Sequence, residues 1–233
     1  MRRRLFARPK EEDLPSDDMV ACIRASACYA VSDGASACYA GGAWARIISR
    51  LYVENPGVGP AWLTAARHRF RARLQPDGSD WLAEIAFAQG SFATLLGFTV
   101  HADRLDGIAL GDSVLFVQTR CDLHQIPPLT PADFAEDPVL LSSHAGRGAF
   151  ADTEAAFAAA RFSVAAPERG WAGCRMLAMT DALAAWVVAG DADDRLSFLA
   201  AVPHAPAFAA LLADLIARTE MRQDDSTLLI IEP

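Results

Sequence analysis

The sequence lacks several features that would place it in other classes of protein. No run of about 18 or more apolar residues occurs in the 233-residue chain, so no membrane-spanning helix is expected. The charged start, MRRRLFARPKEED, is not followed by a sustained apolar segment, which argues against a secretory signal. The formal net charge of −8 argues against binding to nucleic acid or a membrane surface, because both need clustered lysine and arginine. We interpret the single basic run, Arg2–Arg4, as a frayed terminus.

Cysteines are few and show no metal-binding or redox pattern. There are five of them, an odd number, and no pair has C-x-x-C spacing. A phosphate-binding loop of the Cys-x5-Arg type is disfavoured, because neither Cys28 nor Cys38 is followed six positions later by an arginine. We therefore expect reduced, mostly buried thiols in a cytoplasmic protein.

The residues that are present predict one large globular domain of the α+β class. Hydrophobic residues make up 52% of the chain and charged residues 21%, which is typical of a folded protein with a substantial core. Apolar runs predict one or two strands over 19–33, and further strands over 91–101, 105–118, 160–166, 173–181 and 227–232. Helical spacing predicts helices over 42–54, 60–74, 182–189 and 205–219. This order indicates antiparallel sheet packed between helices, with a flap-like insertion at about 122–150.

Aspartates occur where apolar, strand-like runs end or begin. The runs YAVSD, IALGD and RMLAMTD end at Asp33, Asp112 and Asp181, and DDSTLLII begins at Asp224. Carboxylates at strand ends can converge at one rim of a sheet, where their oxygens suit hard ions such as Mg²⁺ and Mn²⁺. The alternative is that each aspartate is only a turn residue that bonds to nearby backbone.

These motifs, in this order, resemble the metal-dependent protein phosphatases of type 2C, the PPM family, and in particular a short bacterial branch of it. ARPKEED resembles the opening signature of the family, which implies that Arg8 binds phosphate and that Glu12 and Asp13 are the acidic pair. Asp17-Asp18 is a rival for that pair. AVSDGAS resembles the Asp-Gly motif, which implies that Asp33 bridges two metal ions and that the Gly34 carbonyl is a further ligand.

The remaining motifs complete the resemblance. ALGDSVLFV resembles the Gly-Asp-Ser strand motif, which implies that Asp112 lies near a third metal ion. LAMTDAL and RQDDSTLLII resemble the last two motifs of the family, which implies that Asp181 and Asp224 are metal ligands. The family fold is a four-layer α/β/β/α sandwich of two antiparallel sheets flanked by helices. The resemblance therefore implies a single phosphatase-like domain over 1–233 that binds two or three Mn²⁺ or Mg²⁺ ions.

The resemblance also implies an activity and partners. The expected reaction is hydrolysis of phosphoserine or phosphothreonine in a protein by a metal-activated water, opposing a Ser/Thr kinase. Some positions depart from the family pattern: Ala35 stands where eukaryotic members have a histidine, and Ala182 follows Asp181 in place of glycine. The missing histidine and the altered glycine loop, in which Ala35-Ser36-Ala37 follows Asp-Gly, keep open a catalytically weak phosphatase-like regulatory or binding module. A phosphoesterase acting on small molecules is a third possibility. His144 could approach a substrate phosphate, although a loop residue without that role is favoured.

Overall fold

The computed structural model of the chain describes residues 2–11, 13–23 and 25–233. The strands in this part of the chain are β1 (Arg2–Arg8), β2 (Met19–Ile23), β3 (Cys28–Ser32), β4 (Phe92–Ala93), β5 (Leu95–Val100), β6 (Arg104–Leu110), β7 (Val114–Gln118), β8 (Leu123–Ile126), β9 (Leu141–Ser142), β10 (Arg161–Ala165), β11 (Arg175–Met179) and β12 (Ser226–Glu232). The α-helices are α1 (Gly41–Glu54), α2 (Pro60–Leu74), α3 (Trp81–Gln89), α4 (Glu154–Ala160), α5 (Asp181–Val188), α6 (Ala192–Ala201) and α7 (Ala205–Ala217). No helix within the described residues is long and apolar enough to cross a membrane.

Contacts along the chain divide it into two compact units. The first unit comprises Met1–Ser16, Asp112–Pro138 and Ala166–Pro233. The second comprises Asp17–Gly111 and Val139–Ala165. Each unit holds one five-stranded antiparallel sheet with its own helices, and the predicted α+β class with two helix-flanked antiparallel sheets is confirmed.

The sheet of the first unit has the order β1-β12-β11-β7-β8. The neighbouring strands β1 and β12 come from opposite ends of the chain and pair from Arg2↔Glu232 to Arg8↔Ser226. Helices α5, α6 and α7 cover one face of this sheet. The core there is built from apolar side chains of both layers, among them Phe116, Leu177, Leu183, Phe208 and Ile230. Burial of these side chains is the main source of stability for the unit.

The sheet of the second unit has the order β10-β6-β5-β3-β2, and β4 and β9 form a small additional pair. Every residue of β3 is buried. Helix α1 packs its apolar side on this sheet, with Trp44 and Ile48 fully buried. Phe70 of α2 stacks on Phe87 of α3 with 5.8 Å between ring centroids, a spacing typical of ring pairs. Local signals set the helix starts: Pro60 opens α2, and the Asp80 side chain accepts hydrogen bonds from backbone N–H groups of the first turn of α3.

Several sequence-based expectations are wrong. The run 105–118 is two strands, because Gly111 has φ = 93° and breaks it, and the two strands, β6 and β7, belong to different sheets. Arg2–Arg4 is part of β1 and is not frayed, since its backbone pairs with β12 and the Arg4 guanidinium donates to the carbonyls of Ala200 and Val202. Helices α3, α4 and α6 were not predicted from the spacing of apolar residues.

The segment 122–150 is more ordered than a long loop. It contains β8, a single 3-10 turn at Asp133–Ala135, and β9, and the boundary between the units falls at Pro138. Its role as a flap, and the organisation of 1–233 as one domain, stay predictions. All five cysteines lie within the described residues and none forms a disulfide, but only Cys28 and Cys174 are buried, so the expectation of mostly buried thiols is wrong. Burial raises the pKa of both of these thiols, which disfavours a thiolate nucleophile at either position.

Candidate functional site

The first unit brings several predicted site residues to one end of its sheet. The end of β1 pairs with the start of β12 through Arg8↔Ser226, and Met179 at the end of β11 pairs with Leu228 of β12. Met179 also pairs with Val114 at the start of β7. Neighbouring strands lie about 4.8 Å apart, so the residues that follow or precede these ends are close in space. Four predicted site residues share this end: Arg8, Asp112, Asp181 and Asp224.

Asp181 occupies the junction between a strand and a helix. It is buried and is the first residue of α5, where the positive end of the helix dipole favours a carboxylate. Thr180, directly before it, is held by two bonds: its hydroxyl accepts from the Thr227 N–H at 3.0 Å, and its own N–H donates to the Thr227 carbonyl at 3.2 Å. Ala182 continues the helix, so the missing glycine requires no positive φ.

The closing motif is tied to the segment after β1. A carboxylate oxygen of the buried Asp225 accepts from the Lys10 N–H at 2.6 Å, and the Gln223 side-chain amide donates to the Lys10 carbonyl at 2.9 Å. Asp224, one residue before, is half-buried and accepts from the Asp225 N–H at 2.9 Å. The opening and closing motifs of the chain therefore meet at this end of the sheet.

Arg222 is a residue of this cluster that sequence reasoning missed. Its guanidinium forms a short ion pair with Asp181 and a second pair with Asp224, with 3.6 Å between Nε and the nearer carboxylate oxygen. The signal was present in the sequence, because Arg222 lies two residues before Asp224. Its proximity to Asp181, however, arises only from the pairing of β11 with β12.

The pKa of Asp112 depends on the same charged side chains. It is buried just before β7, and burial raises the pKa of this carboxyl above its ordinary value, as does the nearby Asp224. Arg222 acts in the opposite direction and lowers the pKa of Asp112. Asp112 therefore shares this end of the sheet with Asp224 and with the guanidinium of Arg222.

Asp33 and Gly34 lie in the second unit, directly after the buried strand β3. Thr94 holds the backbone of Asp33 from both sides: its hydroxyl accepts from the Asp33 N–H at 2.8 Å, and its N–H donates to the Asp33 carbonyl at 2.9 Å. The Ser32 hydroxyl donates to the Thr94 carbonyl at 2.5 Å. The half-buried Asp33 side chain therefore projects from a fixed backbone, as a metal ligand requires.

Gly34 is required by a close approach of two backbones. A Cβ on Gly34 would lie 2.3 Å from the carbonyl carbon of Gly41, and a Cβ on Gly41 would lie 2.4 Å from the carbonyl oxygen of Ala35. The loop 35–40 therefore folds back so that α1 begins against the Asp-Gly motif. In this loop Cys38 bonds through its sulfur to the Ala35 carbonyl at 2.8 Å, which is a structural contact.

The predicted acidic pair is only partly described by the structure. Glu12 lies outside the described residues, and Asp13 is exposed on the turn that follows β1 in the first unit. The rival pair belongs to the second unit. There Asp17 accepts from the Gly42 N–H at 3.1 Å in the first turn of α1, and Asp18 is buried. The Asp17 side chain therefore bonds to a backbone N–H at the start of α1.

His144 has a packing role. Its ring contacts Phe87 edge-on, with 4.8 Å between centroids, and its Nδ1 lies 2.9 Å from the Ser143 hydroxyl oxygen. Burial is the main cause that lowers the pKa of this histidine, and Arg71, Arg147 and Arg67 lower it further. The preference for a role other than phosphate binding agrees with this packed position.

The chemistry of the donor set fits a hard divalent cation, because the predicted ligands of the first unit are oxygen donors gathered at one sheet end. Within the described part of the chain, no group of three or more His, Cys, Asp or Glu side chains is arranged as metal ligands would be. Arg222 supplies the positive charge between Asp181 and Asp224 in this arrangement.

Comparison with solved structures gives the class of fold. Over nearly its whole length the chain has the fold of the PPM, or type 2C, serine/threonine phosphatases, the family that its motifs resemble. The serine/threonine phosphatase PstP/Ppp of Mycobacterium tuberculosis is 17% identical, with 98% of this chain and 97% of that chain covered and a TM-score of 0.65. Stp1 of Staphylococcus aureus is 11% identical, with 99% and 94% covered and a TM-score of 0.64.

A third structure bears on the metal site. The catalytic domain of PstP in complex with two manganese ions is 17% identical, with 98% and 96% covered and a TM-score of 0.60. By sequence, no family model and no curated protein matches the chain. At these identities the likeness shows the fold.

Proposed function

We propose that the protein is a metal-dependent serine/threonine phosphatase that hydrolyses phosphate monoesters on proteins. The observation that carries the proposal is the convergence of Asp112, Asp181 and Asp224 at one sheet end, on the fold of phosphatases of this class. The manganese ions described for PstP support the choice of Mn²⁺ or Mg²⁺ as the cofactor.

The proposed ligand set follows the family motifs residue by residue. Asp33 would hold both ions, the Gly34 carbonyl would be a further ligand, and Asp181 and Asp224 would complete the set together with the acidic pair Glu12 and Asp13. Asp112 is assigned to a third ion. When bound, such ions supply a nucleophilic water at neutral pH and neutralise charge that develops on the phosphoryl group.

The protein's own residues bind and orient the substrate. Arg8 lies at the end of β1, beside the closing motif, and its guanidinium is proposed to hold two non-bridging phosphate oxygens in a bidentate contact. The hydrogen bonds around Thr180 and Thr94 fix the backbone on which Asp181 and Asp33 stand. Fixed ligands reduce the reorganisation needed during the reaction.

A phosphoserine peptide assay with Mn²⁺ tests this function. We expect turnover that is abolished by a chelator and restored by Mn²⁺, and Asp33→Asn should lower kcat by more than about a hundredfold. Asp103→Asn is the matched control, since it makes the same change at an exposed carboxylate of the same unit. Turnover that survives both chelation and Asp33→Asn contradicts the proposal.

The alternative function is a phosphatase-like module that binds metal or phosphoprotein but turns over poorly. Two observations favour it: Ala35 cannot protonate a leaving group, and Arg222 already neutralises Asp181 and Asp224. A calorimetric Mn²⁺ titration beside the turnover assay separates the two functions, because binding without turnover identifies the module.

The proposal extends to partners and place of action. A phosphatase for phosphoserine and phosphothreonine opposes a Ser/Thr kinase, so the substrate is a phosphorylated protein. We place the activity in the cytoplasm, where exposed thiols such as those of Cys22 and Cys121 stay reduced. Comparing a phosphopeptide with nucleotide and sugar phosphates distinguishes this substrate class from small molecules.

A further inference from the structure

Arg222 forms ion pairs with two of the carboxylates that the proposed function assigns to metal binding. Its guanidinium pairs with both Asp181 and Asp224, and the Asp181 side chain is only 10% exposed. A guanidinium cannot lose its proton in a protein, so this positive charge is permanent. A divalent cation that binds the same oxygen atoms must therefore displace Arg222.

The structure provides a space into which Arg222 can move. Arg222 lines a cavity of about 260 Å³ beside α5, together with Ala182 and Trp186 of the helix and Phe134 of the 3-10 turn. Glu220 lines the same cavity and pairs with Arg218 at 3.4 Å. A displaced guanidinium thus has both room and a carboxylate partner two residues away along the chain.

We propose that Arg222 is an internal counter-cation that competes with divalent metal ions for Asp181 and Asp224. In the metal-free protein it holds the two carboxylates together and offsets their repulsion. On metal binding it turns into the cavity toward Glu220. Metal affinity is consequently set below that of the carboxylates alone, and occupancy of the site depends on the free metal concentration. This inference rests on the proposed function.

The size of the effect follows from the exposure of the pairs. The Arg222 side chain is 46% exposed, so each ion pair is screened by water and has the modest strength of a surface pair. Two such pairs correspond to roughly a three- to thirtyfold change in an equilibrium constant. The competition therefore tunes metal affinity without blocking it.

Calorimetric titration with Mn²⁺ tests the proposal by affinity and does not depend on turnover. Arg222→Ala should bind Mn²⁺ about three- to thirtyfold more tightly than the unchanged protein, and Arg222→Lys should lie between the two. Arg169→Ala is the matched control: it removes the same charge from an exposed position of the same unit. Its Mn²⁺ affinity should be unchanged. Glu220→Gln should weaken Mn²⁺ binding, because it removes the partner of the displaced guanidinium.

A second measurement guards against a misfolded variant. In the presence of a chelator, Arg222→Ala should melt at a lower temperature than the unchanged protein, since Asp181 and Asp224 lose their counter-cation, and added Mn²⁺ should raise its melting temperature by a larger increment. Equal or weaker Mn²⁺ binding by a folded Arg222→Ala variant overturns the competition while leaving the proposed function intact. Absence of Mn²⁺ binding in both proteins overturns the competition and the proposed function together.

Discussion

A carboxylate oxygen of Asp225 accepts a hydrogen bond from the backbone N–H of Lys10, with 2.6 Å between the two atoms. The two residues are 215 positions apart in the sequence. Asp225 is 4% exposed, so the bond is shielded from competing water. It fixes the segment that carries the predicted acidic pair against the start of β12, beside Asp224.

Loss of this bond should destabilise the protein. Asp225→Ala removes the acceptor and leaves the Lys10 N–H without its partner, at an expected cost of about 2 kcal/mol in the free energy of unfolding. Urea denaturation measures this change in the free energy of unfolding. Asp137→Ala, a substitution at an exposed position, is the control. A change below about 0.5 kcal/mol for Asp225→Ala would show that the bond does not hold the segment.

The Thr94 hydroxyl should be needed for the backbone position of Asp33. Thr94→Val keeps the shape of the side chain but leaves the Asp33 N–H without its acceptor, and we expect a loss of about 1–2 kcal/mol in the free energy of unfolding. Thr64→Val is the control, because the Thr64 hydroxyl bonds to the Pro60 carbonyl on an exposed helix face. Equal effects of the two variants in urea denaturation would refute the role of Thr94.

Gly34 should not tolerate even a methyl group. The added Cβ of Gly34→Ala collides with the backbone of Gly41, and neither backbone can rotate away as a side chain would. We expect destabilisation of about 3 kcal/mol. Gly57→Ala provides the comparison, since its Cβ would meet only the Asn55 side-chain oxygen at 3.2 Å and should cost little. Thermal unfolding of both variants tests this prediction. A Gly34→Ala protein as stable as the Gly57→Ala protein would contradict the close approach of the Gly34 and Gly41 backbones.

Acidification should destabilise the second unit through His144. The pKa of His144 in the folded protein lies below its ordinary value of 6.5, so the unfolded chain binds a proton more readily. The contribution of neutral His144 to stability is therefore present above that ordinary value and is lost as the pH falls through the lower folded pKa.

Urea denaturation between about pH 7.5 and pH 5 checks this dependence on His144. His144→Gln should lose less stability on acidification than the unchanged protein, because glutamine does not titrate. His68→Gln, at an exposed helix position, should lose as much as the unchanged protein. An identical pH dependence in all three proteins would remove His144 as the cause.

Local sequence patterns predicted the elements that carry the site better than the pairing between them. The run YAVSD predicts a strand that ends at Asp33, and β3 ends one residue before it; RMLAMTD likewise places Asp181 at a strand end, and the structure adds that α5 starts there. Such junctions are visible in sequence because apolar runs stop at small polar residues.

Pairing over long sequence distances could not be predicted in the same way. Arg2–Arg4 looks like a polar terminus because its partner strand, β12, lies at the other end of the chain. The break at Gly111 is hard to see because only Gly-Asp-Ser separates the apolar stretches GIAL and VLFV, so that one predicted strand covers strands of two sheets. The contact of Arg222 with Asp181 depends on the β11–β12 register, which no local pattern encodes.

The most direct test of the metal-dependent mechanism is anomalous scattering from crystals of the unchanged protein grown with Mn²⁺. The account predicts at least two manganese peaks bound by the carboxylates of Asp33, Asp181 and Asp224, with Arg222 turned away from Asp181. Well-ordered crystals in which these carboxylates bind no manganese, and in which Arg222 still pairs with Asp181 and Asp224, would contradict it.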